Sequence, residues 1–196
     1  FTEFYERAYQ KGDYYEYFEG NVRDIIERVQ KGQDDLGFIY LLKEQSASAQ
    51  FLMRKYQLQF EPLKRIQLML YGGNKVGQFP PADGELRLVQ GSQTEVRPED
   101  VLRLGAIEGI SLESPQTSVT TNSGSLLRHL LEHSDLWNLS SESLDGTYSG
   151  TEGILLEGKE NEVVFGCVSR NEEQLGELEK AFIACVKKKL KNPKKE

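Results

Sequence analysis

The apolar positions of this chain change period several times, and each change marks an element. Between residues 22 and 29, Val22, Ile25, Ile26 and Val29 recur at i, i+3, i+4 and i+7, which is one apolar stripe of a helix. Ahead of it, Tyr14 to Phe18 is an aromatic, β-favouring run that predicts a strand, broken by Glu19-Gly20-Asn21. Gly32 stands where such a helix stops. Leu36 to Leu42 is a continuous apolar run, the pattern of a strand buried on both faces of a parallel sheet. Together Asp13–Leu42 predicts a βαβ unit of about 30 residues. The loop after the first strand of such a unit lies at the sheet's carboxyl edge, where open α/β sheets take ligands, and the free N–H groups of the helix start favour an anion. Glu19, Gly20, Asn21 and Val22 are therefore the first candidate site.

The same alternation continues. A helix over Thr2–Gln10 places Phe1, Phe4, Tyr5, Ala8 and Tyr9 on one face. Glu44–Tyr56 predicts a helix carrying Ala47, Phe51, Leu52 and Tyr56. Gln57–Phe60 predicts a short strand ended by Pro62, and Arg65–Tyr71 a stronger one ended by Gly72-Gly73. Asn74–Gly84 is a Gly- and Pro-rich loop. Leu86–Val89 is a weak strand, Pro98–Leu104 a short helix and Ala106–Leu112 a strand. Thr117–His133 then repeats the opening pattern: a β-branched run to Thr121, the polar Asn122-Ser123-Gly124, and a helix with Leu126, Leu127, Leu130 and Leu131. Asn122 or Ser123 either simply caps this helix or offers its N-terminus to a ligand. Asp135–Leu139 and Ile154–Leu156 are short strands around the polar stretch Ser140–Gly153. Glu162–Ser169 is a buried strand and Asn171–Leu190 a long amphipathic helix, acids first and lysines last. Strands alternating with helices predict an α/β fold with parallel strands. The strong strands Arg65–Tyr71 and Glu162–Ser169 bracket a domain-sized middle section, which predicts two lobes joined by two crossing strands, with a cleft facing both polar loops.

Composition narrows the function. The net charge of −7 argues against a nucleic-acid surface on this chain, and its one basic run, Lys187–Lys195, reads as a solvated helix end and tail. No apolar run approaches the roughly 18 residues of a membrane helix. The two cysteines, Cys167 and Cys185, fall in apolar contexts and read as free thiols of a reducing cytoplasm. No initiator Met, cap residue or signal peptide opens the chain, so it is expected to begin inside an element and to lack a preceding strand.

Catalytic signals are poor. His129 and His133 are spaced i, i+4, which suits zinc, but the Glu of H-E-x-x-H is missing and the sequence names no third ligand; the pair reads as solvated or partly packed. Neither cysteine has a nearby base, and G-x-S-x-G, P-loop and G-x-G-x-x-G motifs are absent. No cofactor is expected and no enzyme activity. Asn138-Leu139-Ser140 fits a glycosylation acceptor, with nothing else to suggest secretion.

Three segments carry a resemblance. FYERAYQKGDYYEYFEGNVRDIIERVQKGQDDLGFIYL, TSVTTNSGSLLRHLLEHSDLW and GILLEGKENEVVFGCVSRNEEQLGELEKAFIACVKKKL resemble, in order and spacing, the effector-binding (regulatory) domain of LysR-type transcriptional regulators. The resemblance is weak over Asn74–Ser114. It implies a two-lobed type II periplasmic-binding-protein-like fold, each lobe a sheet flanked by helices, with residues 1–68 and 165–196 in lobe I and 69–164 in lobe II. It implies a small-molecule effector in the interlobe cleft, touched by Glu19, Gly20, Asn21 and Val22 from one lobe and by Thr121, Asn122, Ser123 and Gly124 from the other. Tyr40 and Leu41 would line the hinge, Tyr71 and Gly72 would mark the first crossing, with Tyr71 also touching the effector, and Tyr148 and Ser149 would stand on a loop covering the cleft. Glu19 would repel an anionic effector unless it points away; pointing inward it favours an amine or guanidine, and the sequence leaves both open. DNA would be bound only through an N-terminal winged helix-turn-helix that this chain does not contain. The resemblance further implies a cytoplasmic homodimer or higher homo-oligomer with no membrane partner. The aromatic face of Phe1, Phe4, Tyr5 and Tyr9 would either serve that contact or pack on its own sheet. The rival reading is an extracytoplasmic solute-binding protein of the same fold, serving a transporter.

Overall fold

A computed structural model describes residues 1–10, 14–76, 85–91, 116–141, 153–156, 158, 161–171 and 175–191. The helix expected at Pro98–Leu104, the strand at Ala106–Leu112, Tyr148 and Ser149 lie outside them. The elements are α1 (Thr2–Ala8), α2 (Val22–Gln30), β1 (Leu36–Leu42), α3 (Lys43–Lys55), β2 (Gln59–Gly72), β3 (Arg87–Gly91), β4 (Gln116–Thr121), α4 (Gly124–His133), β5 (Trp137–Ser141), β6 (Gly153–Leu155), β7 (Glu162–Ser169) and α5 (Glu177–Lys191). The chain divides into two compact units. One holds Phe1–Leu41, Gln45–Lys64 and Val164–Glu196; the other holds Leu42–Glu44 and Arg65–Val163. Both β2 and β7 run from one unit into the other.

In the first unit the strand order is β1-β7-β2. Its core joins Ile26 and Val29 of α2, Ile39 and Leu41 of β1, Ala49 and Met53 of α3, and Val168 of β7. The stripe read from the sequence thus buries as expected, Ile26 and Val29 completely. α2 ends in a Schellman turn: Gly32 has φ +69°, its N–H donates to the Val29 carbonyl and that of Gln33 to the Arg28 carbonyl. Arg170 secures the next turn, donating to the Val29 and Asp34 carbonyls at 2.9 Å each and to the Asp35 carboxylate at 2.8 Å. The aromatic face of α1 divides. Phe4 is buried against Phe182 of α5 with ring centroids 4.9 Å apart, while Phe1, Tyr5 and Tyr9 stay partly exposed.

Several expectations for this unit are corrected. Tyr14–Phe18 is not a strand, so the opening βαβ unit reduces to helix and strand. Its aromatics are held by other rings and by a cation instead: Phe1 meets Tyr15 and Tyr17, and the Arg28 guanidinium lies 4.1 Å over the Phe18 ring. β1 is buried mainly on one face, because Tyr40 points outward and is 45% exposed. The buried face of α3 is Ala49 and Met53, flanked by Leu52 and Tyr56; Ala47 and Phe51 are exposed. The period was right there and the phase was shifted. Pro62 does not end a strand. It sits at an exposed position within β2, where a missing N–H costs no buried hydrogen bond. The closing helix starts at Glu177, six residues after Asn171, and Leu178 in its first turn is exposed.

In the second unit the order is β2-β5-β3-β4, with β6 also on β2. β2 is antiparallel to β5 and β6, whereas β3 is parallel to β4 and β5. The all-parallel expectation is therefore corrected to a mixed sheet, since strand–helix alternation reports only the crossovers. Alternate residues Ile66, Leu68 and Leu70 of β2 build one core with Leu86, Leu88, Trp137 and Leu156. Val89, Leu131 and Leu136 build another, joined by Val119, Leu127 and Leu130 of β4 and α4. Leu126, placed by the sequence on the same face, is 44% exposed. The turn after β2 is locked to the end of α4: Gly73 N–H donates to the Leu136 carbonyl and Asn74 N–H to the Leu131 carbonyl, both at 2.8 Å.

Candidate functional site

Each unit presents one polar loop that runs into a helix, and each loop is built by its own side chains. In the first unit Asn21 is the N-cap of α2, its side-chain oxygen accepting from the Asp24 N–H at 2.8 Å. This satisfies one of the orphan donors of the helix start. Gly20 and Val22 flank it, both half-buried. Glu19 is exposed, and its carboxylate accepts the Tyr17 hydroxyl at 2.9 Å. Partial burial, then this hydrogen bond and the Glu19 charge, push the Tyr17 phenol up to about 12, with Tyr40 adding to the effect. Tyr17 therefore stays a protonated donor at neutral pH. Tyr40 itself leans on Phe165 at 4.7 Å. Acidic groups crowd this helix start: Glu19 precedes it and Asp24 lies in its first turn. They oppose the anion that a bare helix N-terminus would attract.

In the second unit Ser123 caps α4, its hydroxyl oxygen accepting from the Leu126 N–H at 3.2 Å. The Thr121 hydroxyl oxygen accepts from the Ser123 N–H at 3.0 Å. Asn122, Ser123 and Gly124 are exposed, and no acid lies in the first turn of α4. The field of this helix start is thus free to favour an acceptor or an anion.

Other expected site residues stand elsewhere. Leu41 is 2% exposed and belongs to the core of the first unit. Tyr71 is 1% exposed, its hydroxyl directed at the Met69 sulfur at 3.4 Å. Gly72 lies against the Trp137 ring. Both serve packing at the end of β2. Tyr148 lies outside the described residues.

Two residues were not candidates for the site in the sequence, where Asn138 was read only as a glycosylation acceptor, a reading its burial opposes. Asn138 is 3% exposed and donates from its amide to the Val89 carbonyl at 2.8 Å and to the Gln90 side-chain oxygen at 3.4 Å. Gln90 is 4% exposed, and its amide nitrogen is buried with no hydrogen-bond partner among the described residues. A native fold rarely leaves such a donor unmade, because desolvating it costs about 1–3 kcal/mol. The register places Gln90 opposite Thr120 and Gly91 opposite Thr121, at the carboxyl ends of two parallel strands and directly before the α4 loop. Only the polarity of Gln90 within an apolar strand hinted at this.

The mixed α/β architecture is the type II periplasmic-binding-protein-like fold of LysR-type regulatory domains. The chain is similar to the regulatory domain of HypT from Salmonella typhimurium in a bromide-bound form, with 13% identity, covering 93% of this chain and 85% of that one, and a TM-score of 0.61. It is similar to the C-terminal domain of a probable LysR family regulator from Rhodococcus sp. RHA1, with 20% identity, covering 94% and 88%, and a TM-score of 0.58. Against full-length CbnR, a LysR family regulator in complex with its target DNA, the identity is 15% and the TM-score 0.54, and this chain spans 55% of that protein's length. Neither a protein-family model nor a curated protein sequence matches the chain. Among the described residues, no helix is long and apolar enough to cross a membrane.

Proposed function

We propose that this chain is the ligand-sensing domain of a LysR-type transcriptional regulator. The observation that carries the reading is the regulatory-domain fold, which runs across nearly the whole chain. In this reading the two units are the two lobes, and the 19–22 loop of one and the 121–124 loop of the other are the candidate effector-binding loops. Effector binding favours one arrangement of the domain and so changes DNA binding by an attached helix-turn-helix, a shift limited by the effector's differential affinity for the two states. Partnering as a homo-oligomer in the cytoplasm belongs to the same proposal.

The chemistry of the two loops supports a particular effector polarity. The exposed Glu19 carboxylate beside the Tyr17 donor suits an amine or another donor. The acid-free start of α4, with exposed Asn122 and the spare donor of Gln90, suits a carboxylate or another acceptor. A small zwitterionic or amide-bearing metabolite meets both demands. Thermal-shift screening of amino acids, amines and organic acids tests this. Zwitterions are expected to raise the melting temperature, and Glu19→Gln to weaken them more than it weakens simple acids. Equal stabilisation by simple acids alone, unaffected by Glu19→Gln, would reject the polarity.

A further inference from the structure

The last turn of α4 places three side chains on one solvent-facing patch. His129, Glu132 and His133 are spaced i, i+3 and i+4, so the helix brings them to one face. One ligand atom from each lies within 4.8 Å of the other two, and all three residues are exposed. The imidazole rings stack with centroids 4.2 Å apart and planes 28° from parallel. Zinc binds such atoms at about 2.0–2.2 Å in a tetrahedron, so ligands around one ion sit roughly 3.3–3.6 Å apart. Exposed side chains close that small difference by turning within their rotamers.

Two further features favour a cation here. The Nδ1 atom of His133 is 3.0 Å from the His129 carbonyl oxygen. A carbonyl can only accept, so this contact places the proton on Nδ1 and leaves the lone pair of the neutral ring on Nε2. That is the arrangement of metal-bound histidines, whose second nitrogen donates to a carbonyl or carboxylate. His133 is also the last residue of α4, where the partial negative charge of the helix end attracts a cation. Glu132 is out of place for an H-E-x-x-H base, but at i+3 from His129 it is well placed as a third ligand. Among the described residues no other group of three metal-binding side chains meets this closely.

We propose that His129, Glu132 and His133 form a surface site for a divalent transition-metal ion. Two imidazoles and one carboxylate select zinc, nickel or copper over magnesium and calcium, which require oxygen ligands. One helix face supplies three ligands and leaves the remaining positions to water, so the site is open and exchangeable. A bound ion ties together the last turn of the helix that Ser123 caps, and stabilises the fold by an amount that grows with the logarithm of the ion concentration above Kd. The site does not depend on the effector reading.

Calorimetric titration of the whole chain with Zn²⁺ and with Ni²⁺, in a buffer that does not bind metals, tests it. One ion per chain is expected, and Mg²⁺ and Ca²⁺ give no heat of binding. His129→Ala and His133→Ala are each expected to weaken binding at least about tenfold, and Glu132→Gln to weaken it less. The three side chains are exposed, so these variants fold, which circular dichroism verifies. Absence of zinc and nickel binding overturns the proposal. So does one-to-one binding that survives His129→Ala/His133→Ala, or binding that Cys185→Ser abolishes.

Discussion

Single side chains in this chain are governed by what surrounds them rather than by type. Cys167 is 2% exposed in β7. Burial first, then the nearby Glu61 carboxylate, push its thiol up to about 12, against a smaller opposing effect of Lys187. Cys185 on α5 is only half-buried. A thiol reagent at pH 8 is therefore expected to label Cys185 in the native protein and Cys167 only on unfolding, because the thiolate is the reactive form. Rapid labelling of both in the native state would contradict the burial. Raised pKa values carry a sign as well. For Cys167 and Tyr17 the folded state holds its proton longer than the unfolded chain, so the stability they contribute is whole below about pH 8.5 for the thiol and about pH 10 for the phenol, and is lost as pH rises towards 12. Alkaline melts are expected to show falling stability across that window, and Tyr17→Phe to flatten its upper part. Glycine gives a sharper contrast. A Cβ at Gly73 would fall within 3.0 Å of the carbonyl oxygens of Leu131, Ser134 and Leu136, whereas at Gly124 it meets nothing within 4 Å. Gly73→Ala is expected to destabilise by about 1–3 kcal/mol. Gly124→Ala, at a helical position with room, is expected to stabilise by about 0.5–1 kcal/mol. Chemical denaturation of both variants checks the pair.

At the scale of elements, caps and turns carry measurable weight. Asn21 and Ser123 each satisfy a donor of the helix that follows. Replacement of either by Ala is expected to cost about 1 kcal/mol in denaturant melts. Gly32→Ala, at a left-handed position of the α2 end, is expected to cost about as much. Where the sequence was legible, periodicity and punctuation agreed: α2 with its stop at Gly32, β4 leading into α4, and the alternating half of β2. It misled where the same residues suit two environments. Tyr14–Phe18 has the composition of a strand, but its rings are engaged by Phe1, Tyr5 and Arg28. In α3, Phe51 is more hydrophobic than Ala49, yet Ala49 is the residue that fits against the sheet. Strand direction was legible only in part, because a continuous apolar run or a strand–helix alternation reports burial and crossovers and not the direction of each neighbouring strand.

The candidate site divides along the same line. Its loops were legible because a polar break before an apolar helical stripe marks a helix start and suits few other local structures. Glu19, Asn21, Asn122 and Ser123 stand where such loops put them. Leu41 and Tyr71 were placed by position along the chain, and burial took them into packing. Gln90 and Asn138 were not legible as a pair, since only the pairing of β3 with β4 and β5 sets Gln90 at the carboxyl end of β3 and brings the Asn138 amide to it.

The molecule as a whole has a type II periplasmic-binding-protein-like fold, and its two helix-start loops differ in polarity. Calorimetric titration of a zwitterionic ligand found by thermal shift tests this most directly, comparing the unmodified chain with Asn122→Ala/Ser123→Ala and with Gln90→Met. Binding to the unmodified chain is expected, with at least about a tenfold loss in the double variant, of the size that follows from lost hydrogen bonds to a charged group. Gln90→Met is expected to lose affinity measurably while its stability is unchanged or raised. Affinity unchanged in both variants, or no small metabolite that stabilises the chain, would contradict the claim.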